Sequence, residues 1–419
     1  MTPPDALAGP AGAVLDAAPS GPLGVAVSGG GDSVALLLLA RVWAAGSGRE
    51  ISAVTVDHGL RAGSAGEAAG VAALCARIDV SHDVLGWRGW DGRGNLQDNA
   101  RRARRSLIAD WAQRRGIGAV ALGHTLDDQA ETVVMRLARG SGVDGLAAMA
   151  VVSRAACVVW LRPLLGLRRA DLRAWLAAEG VGWAEDPSNE DPGFSRVRVR
   201  RALEMLGNVG LGAERLAATA DRMGRARAAL ESAVADLARV CVVEGEAGDV
   251  ALDPAPMRAA PEDIRLRLLA SVLMRVSGAI YRPRLARLEA LLAAIEAGRI
   301  GHGQTLHGCV LRRSGAGITV RREPAAAAGR VPAGRPWDGR WELIGPAPEG
   351  AEIGGVGVGG LALCAAWRET GLARETLLTT PALWHGQRLI DAPFARGAGR
   401  RVFRRIASGP APWETGELR

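Results

Sequence analysis

Three consecutive glycines followed by an acid and a hydroxyl, in "VAVSGGGDSVALLLLA" from Val25 to Ala40, pose a chemical question before a structural one. Glycine has no side chain to bury and loses the most backbone entropy on ordering, so Gly29, Gly30 and Gly31 make sense where something approaches the main chain closely. A strand, a glycine turn and a helix would gather N–H groups and the positive end of a helix dipole around one point, which attracts an anion. The hydroxyls of Ser28 and Ser33 add donors for phosphate oxygens. Asp32 would repel phosphate unless a divalent cation lay between them, so Mg²⁺ is the expected metal and Asp32 its ligand. A Walker-type P-loop is excluded, because it needs Gly-Lys-Ser/Thr and all 52 basic residues here are arginine.

A second group of acids lies in "GHTLDDQAETVVMRLARG" from Gly123. Asp128 and Glu131, three apart on an expected helix, share a face. Two carboxylates beside a nucleotide make sense only with a bound cation, and a metal on His124, Asp127 and Asp128 is one reading. Arginines supply the opposite charge. In "ARRARR" a helix puts Arg101 on one side with Arg104 or Arg105, whereas "FSRVRVR" alternates, so an extended chain would point Arg196, Arg198 and Arg200 the same way. Either set suits a transferring phosphate or a nucleic-acid backbone.

These residues need elements to hold them. "LGVAVSGG", "ISAVTVDHG", "DVSHDVLGW", "GIGAVALGH" and "CVVWLRPLL" read as strands, separated by amphipathic helical stretches such as "AGEAAGVAALCARI" and "NLQDNARRARRSLIADWAQRRG". That alternation predicts an α/β fold, a doubly wound and mostly parallel sheet, over residues 1–205. In such a sheet the loops at the carboxyl ends of neighbouring strands converge, so "SGGGDS", "VDHG" and "GHTLDD" should face one crevice. A mostly helical domain ending in the hairpin "TLHGCVLRRSGAGITVRRE" is expected over 211–324. The Pro, Ala and Gly of "PAAAAGRVPAGRP" read as a linker to a small strand-biased C-terminal domain at 337–419. Within it "GVGVGG", from Gly355, formally matches G-x-G-x-x-G but reads as a β-turn run without the strand-turn-helix context of a dinucleotide site.

"SGGGDS" resembles the pyrophosphate loop of the N-type ATP pyrophosphatases, the PP-loop superfamily. Four more segments follow in order: "VDHGLRAGSAGEA" from Val56, "GNLQDNARRAR" from Gly94, "GHTLDDQAETVVMRLARGSGVDGLAAM" from Gly123 and "EDPSNEDPGFSRVRVR" from Glu185. Together they resemble the tRNA(Ile)-lysidine synthases across residues 20–205. The resemblance implies an adenine nucleotide alpha hydrolase-like fold, ATP and Mg²⁺ as cofactors, and free L-lysine and an isoleucine tRNA with a CAU anticodon as partners. It also implies a ligase that adenylates the C2 oxygen of the wobble cytidine and joins lysine to C2, releasing AMP and pyrophosphate. Carried over residue by residue, Ser28 to Ser33 with Asp57 and His58 bind ATP. Asp128 and Glu131 hold the lysine ammonium, and Asp32, His124, Asp128 and Glu131 are the catalytic set. Arg101, Arg104, Arg196, Arg198 and Arg200 hold phosphate or tRNA. Asp57 also suits a plain strand-end turn cap. The family pattern has asparagine where this chain has Val197, which removes a hydrogen-bonding side chain.

The formal charge of +8 and pI near 10.5 favour a polyanionic partner. Arg222, Arg225 and Arg227 are further candidates for gripping tRNA. The five cysteines, Cys75, Cys157, Cys241, Cys309 and Cys364, stand singly, which argues for buried thiols and against zinc, an iron–sulfur cluster or disulfides. The same lack of paired cysteines disfavours a tRNA thiolase, and an amidating ligase gives no reason for the arginines. The remaining alternative is a non-catalytic RNA-binding protein on an ATP fold. The N-terminal sequence has no basic-then-apolar leader and the longest apolar run stops at Arg41, so a cytoplasmic protein without a membrane segment is expected, with a homodimer as an open option.

Overall fold

The computed structural model describes residues 2–57, 59, 64–87, 96–155, 158–185, 195–301, 303–396 and 402–406. It divides into two compact units, Met1–Arg227 and Ala228–Arg419. In the first, the helices are α1 (Asp5–Leu15), α2 (Gly31–Ser47), α3 (Ser64–Arg77), α4 (Leu96–Arg114), α5 (Leu126–Leu137), α6 (Val143–Leu146), α7 (Arg169–Ala178) and α8 (Ser195–Asn208), and the unit boundary falls inside α9 (Ala213–Cys241). The strands are β1 (Leu23–Ala26), β2 (Ile51–Asp57), β3 (Ser81–Gly86), β4 (Ala119–Leu122), β5 (Val152–Ala155) and β6 (Val158–Leu161).

They form one sheet in the order β3-β2-β1-β4-β6-β5, parallel except for β5, which runs antiparallel to β6. One face is covered by α2 with α1 and α7, the other by α4, whose Ile108, Trp111 and Ala112 pack against Val54, Val120 and Trp160. Helices on both faces make this the expected doubly wound α/β fold. The run from Ser33 to Ala40 is buried on all sides, as a helix packed between the sheet and other helices must be. Neither α1 nor β5 is foreseen from the sequence: α1 is interrupted by Gly9, Pro10 and Gly12, and β5 is short and largely exposed.

The second unit holds β7 (Val242–Glu244), β8 (Val250–Leu252), α10 (Pro254–Met257), α11 (Glu262–Ser277), α12 (Leu285–Glu296), β9 (Gln304–Leu306), β10 (Cys309–Ser314) and β11 (Gly317–Arg322). Its first sheet, β7-β8-β11-β10-β9, contains the expected hairpin β10–β11 and shares a core with α11 and α12. After β12 (Val331–Pro332) and β13 (Trp341–Ile344) come β14 (Glu352–Gly355), α13 (Gly357–Ala362), β15 (Pro381–His385), β16 (Arg388–Asp391) and β17 (Val402–Arg405).

Two readings change here. "PAAAAGRVPAGRP" is not a linker, because β12 lies within it and pairs with β14 in the sheet β12-β14-β15-β16. "GVGVGG" is a strand-turn-helix, β14 running into α13 with Gly357 at φ +63°, although its sheet neighbours are antiparallel and Gly360 is there for close packing, its absent Cβ lying 2.9 Å from the Trp384 ring. Cys75, Cys241, Cys309 and Cys364 are buried free thiols, and Cys157 lies outside the described residues. Among the described residues no helix is long and apolar enough to cross a membrane.

Candidate active site

β1 lies between β2 and β4, so the chain order turns at this strand and the crevice of an open α/β sheet opens beside its carboxyl end. There the glycine loop bridges β1 and α2. Gly29 has φ +90°, a conformation that side chains resist, and its carbonyl accepts the Ala184 N–H at 2.9 Å. Ser33 Oγ accepts the Ser28 N–H at 3.1 Å and donates to the Gly30 carbonyl at 2.8 Å, so the buried hydroxyl shapes the loop from inside. No side chain caps α2, and Asp32 stands in its first turn. At the end of β2, Asp57 Oδ1 accepts the Gly59 N–H at 2.9 Å, which is the turn-capping role; His58 lies outside the described residues.

The third loop is drawn in by Gly123. A Cβ there would sit 3.1 Å from Ser33 Cα and 3.2 Å from the Asp32 carbonyl, so only glycine lets the end of β4 lie against the start of α2. Thr125 then caps α5 in a reciprocal box: its Oγ accepts the Asp128 N–H, while Asp128 Oδ2 accepts the Thr125 N–H at 2.9 Å. Asp128 and Glu131 are thereby placed on the inner face of α5, 6% and 1% exposed.

Buried carboxylates need partners. Arg169, the first residue of α7, supplies them for all three acids: its Nε donates to Asp32 Oδ2 at 2.8 Å, its Nη2 to Asp128 Oδ1 at 3.1 Å, and its Nη1 lies 3.7 Å from Glu131 Oε1. Its own N–H donates to Asp127 Oδ2 at 2.8 Å. Glu131 Oε1 also accepts from Arg200 Nε at 2.6 Å, and Arg196 Nε stands 3.9 Å from Glu131 Oε2. Two carboxylate oxygens, Asp32 Oδ1 and Glu131 Oε2, are buried without a hydrogen-bond partner, as is His124 Nδ1.

The charges respond to this packing. Burial raises the Asp128 carboxyl, but Arg169 and the Thr125 N–H outweigh it and hold Asp128 below the usual range. For Asp32 burial wins over Arg169, and its carboxyl is pushed up. Burial of Arg169 is overcome by Asp128 and Asp32, which hold its proton more firmly than usual. Burial drives His124 down to about 4 against the pull of Asp128, with Arg162, Arg101 and Arg196 pushing the same way, so its imidazole is neutral at pH 7.

Asp32, His124, Asp128 and Glu131 are thus brought together, and Arg101 of α4 is near enough for His124 to feel its charge. Arg101 and Arg104 are both exposed and lie three residues apart along α4. Arg196, Arg198 and Arg200 do not point the same way from an extended chain: "SRVRVR" is the first part of helix α8, so Arg196 and Arg200, one turn apart, meet Glu131, while Arg198 is exposed on a different face. The alternation of two valines is overridden by the helical period of the longer segment, which buries Val197 and tucks Leu203 against α5 and α9 residues. A metal on His124, Asp127 and Asp128 is also set aside. Asp127 faces Arg168 at 3.4 Å and the Arg169 N–H, and no group of three or more metal-type ligands occurs among the described residues.

Sequence reasoning missed Arg169. One signal was legible: two arginines at the start of a helix oppose its dipole, an unfavourable placement that makes sense only beside acids or a bound anion.

A family model described as the PP-loop domain matches residues 11–206. The chain is 46% identical over 389 residues to a tRNA(Ile)-lysidine synthase of Ruegeria pomeroyi, spanning 91% of each chain. It is 43% identical over 311 residues to one of Methylobacterium sp. (strain 4-46), spanning 72% of this chain and 88% of that one. Against one of Hyphomonas neptunium the identity is 39% over 336 residues, 77% of this chain and 88% of the other.

Proposed function

Since the chain belongs to the tRNA(Ile)-lysidine synthase family of PP-loop proteins, we propose that it joins lysine to C2 of the wobble cytidine of an isoleucine tRNA with a CAU anticodon, at the expense of ATP. The PP-loop domain binds ATP. Its phosphates lie against Ser28 to Ser33, with the N-terminal turn of α2 and the two serine hydroxyls as donors. Asp57 and His58 bound the adenosine side.

The cytidine C2 oxygen attacks the α-phosphorus, a P–O bond to pyrophosphate breaks, and AMP is left on that oxygen. This makes C2 electrophilic. The side-chain amine of lysine forms the new C–N bond, and AMP departs with the original C2 oxygen. The ammonium must first lose a proton that it holds to a pKa near 10.4, about three units above neutrality and roughly 4 kcal/mol. Asp128 and Glu131 hold the ammonium and take that proton as the amine attacks. Neutral His124 lines the same pocket and offers an unprotonated nitrogen to a hydrogen on the base or amine.

Mg²⁺ fits Asp32, since Oδ1 is buried, unpartnered and part of the phosphate loop. When bound it neutralises phosphate charge; with one protein carboxylate its other ligands are phosphate and water, the usual mode for this ion. Arg196 and Arg200 face the acid pair and suit the α-phosphate, whereas Arg104 and Arg198 are exposed and suit the tRNA backbone. Residues 211–324, with Arg222, Arg225 and Arg227 among them, and residues 337–419 carry further tRNA contacts.

The observation that carries this reading is the single guanidinium joining phosphate-loop Asp32 to Asp128 and Glu131, because it puts an anion subsite and a cation subsite in one crevice. The deciding experiment incubates the protein with ATP, lysine and the tRNA and weighs the anticodon fragment. A lysine adduct with release of AMP is expected; ATP turnover with tRNA but no adduct would reject the assignment.

A further inference from the structure

We propose that Arg169 is a positioning residue that sets the order of substrate binding: its guanidinium closes the acid pair to lysine until nucleotide phosphates draw it away, so ATP enters first and lysine second. The inference rests on the reading that Asp128 and Glu131 hold the lysine ammonium.

The acceptors around this pair are already engaged. Asp128 Oδ1 is bonded to Arg169, and Asp128 Oδ2 to the N–H and hydroxyl of Thr125. Glu131 Oε1 is bonded to Arg200 with Arg169 close by. Among the described residues of this site Glu131 Oε2, Asp32 Oδ1 and His124 Nδ1 lack a hydrogen-bond partner, and the two carboxylate oxygens belong to residues that Arg169 spans. An ammonium has three N–H donors to place, and Arg169 already holds Asp128 Oδ1 and crowds Glu131 Oε1. The ammonium must also enter beside Arg169, Arg196 and Arg200, three guanidinium groups within 4 Å of one carboxylate, so it is repelled while Arg169 stays.

Nucleotide removes that obstacle because Arg169 reaches into the phosphate loop. Its Nε is bonded to Asp32, in the first turn of α2, at the point where the loop concentrates donors for phosphate. A polyphosphate there offers the planar guanidinium a stronger, two-pronged set of oxygens than a single carboxylate oxygen does. When Arg169 turns toward it, Asp128 Oδ1 and the Glu131 carboxylate regain the charge that attracts lysine. Arg196 and Arg200 reach Glu131 from a different helix, α8, whereas Arg169 reaches Asp32 of the phosphate loop as well as the acid pair.

The test is calorimetric titration of the full-length protein with L-lysine, with and without a non-hydrolysable ATP analogue. For the unaltered protein the analogue should tighten lysine binding by about tenfold or more, and by reciprocity lysine should tighten analogue binding by the same factor. Arg169→Gln should bind lysine without nucleotide as well as the loaded parent does, with the coupling reduced to within about twofold. Equal lysine affinity with and without the analogue in the parent, or unchanged coupling in Arg169→Gln, overturns the proposal. If Arg169→Gln does not fold, Arg169→Lys decides, since a point charge cannot span three carboxylates at once: reduced coupling supports the proposal and full coupling overturns it. Asp128→Asn separates the two readings. Lost lysine binding in the loaded protein upholds the acid pair as the lysine site, while undiminished binding removes that site and the proposal with it.

Discussion

Arg169 and His124 show how burial assigns charge inside this crevice. Arg169 stays cationic among three carboxylates, and His124 stays neutral because burial outweighs the nearby acid. For His124 the consequence is a pH-dependent stability with a definite sign. Its folded value, about 4, lies below the ordinary 6.5, so between these values the unfolded chain binds the proton more readily and stability falls as pH falls. The full loss approaches about 3 kcal/mol by pH 4. Asp128, held low, loses its contribution only at lower pH, and Asp32, held high, acts in the opposite sense, being relieved as it is protonated. Denaturant titrations at pH 7 and pH 4.5 should therefore show a smaller drop in His124→Asn than in the parent; an equal drop would mean that His124 is not buried neutral. At this scale Asp32, Asp128 and Glu131 were legible from residue type and spacing. Arg169 was signalled only by its unfavourable place at a helix start, because it opens α7, after β6, and only the fold brings it 137 positions back along the chain to Asp32.

The elements differ in how far local pattern decides them. α2 and α5 follow from apolar content and from the Thr125–Asp128 capping box, both readable over a few residues. α8 does not, since its first six residues alternate like a strand and only the following turns bury Val197 as a helix does. The register of these elements hangs on Gly123, which has no positive φ and is required by space alone. Gly123→Ala should push β4 and the start of α2 apart by a few tenths of an ångström, costing about 1–2 kcal/mol of stability. It should weaken the ATP analogue more than thermal unfolding alone would suggest, since Asp32 and Ser33 are the residues struck. Calorimetry with the analogue, alongside a melting curve, checks this; full affinity in a destabilised variant would place the strain elsewhere.

On the scale of the whole molecule, the arginine-only basicity and +8 charge predict strongly salt-dependent tRNA binding. Filter retention of the tRNA between 50 and 200 mM salt should lose roughly tenfold in affinity or more, the slope counting phosphate contacts. A flat salt response would assign recognition to base contacts instead. Composition, the glycine loop and the strand-helix alternation were enough to determine the α/β class, the glycine turn between β1 and α2 and the family resemblance, because each depends on residues close together in the chain. The tertiary structure alone decided which cation meets the acids, that the final arginines lie on a helix, and that a stretch rich in Pro, Ala and Gly contributes an edge strand. Those outcomes depend on burial and on partners from distant segments, whose desolvation and pairing energies no local pattern contains.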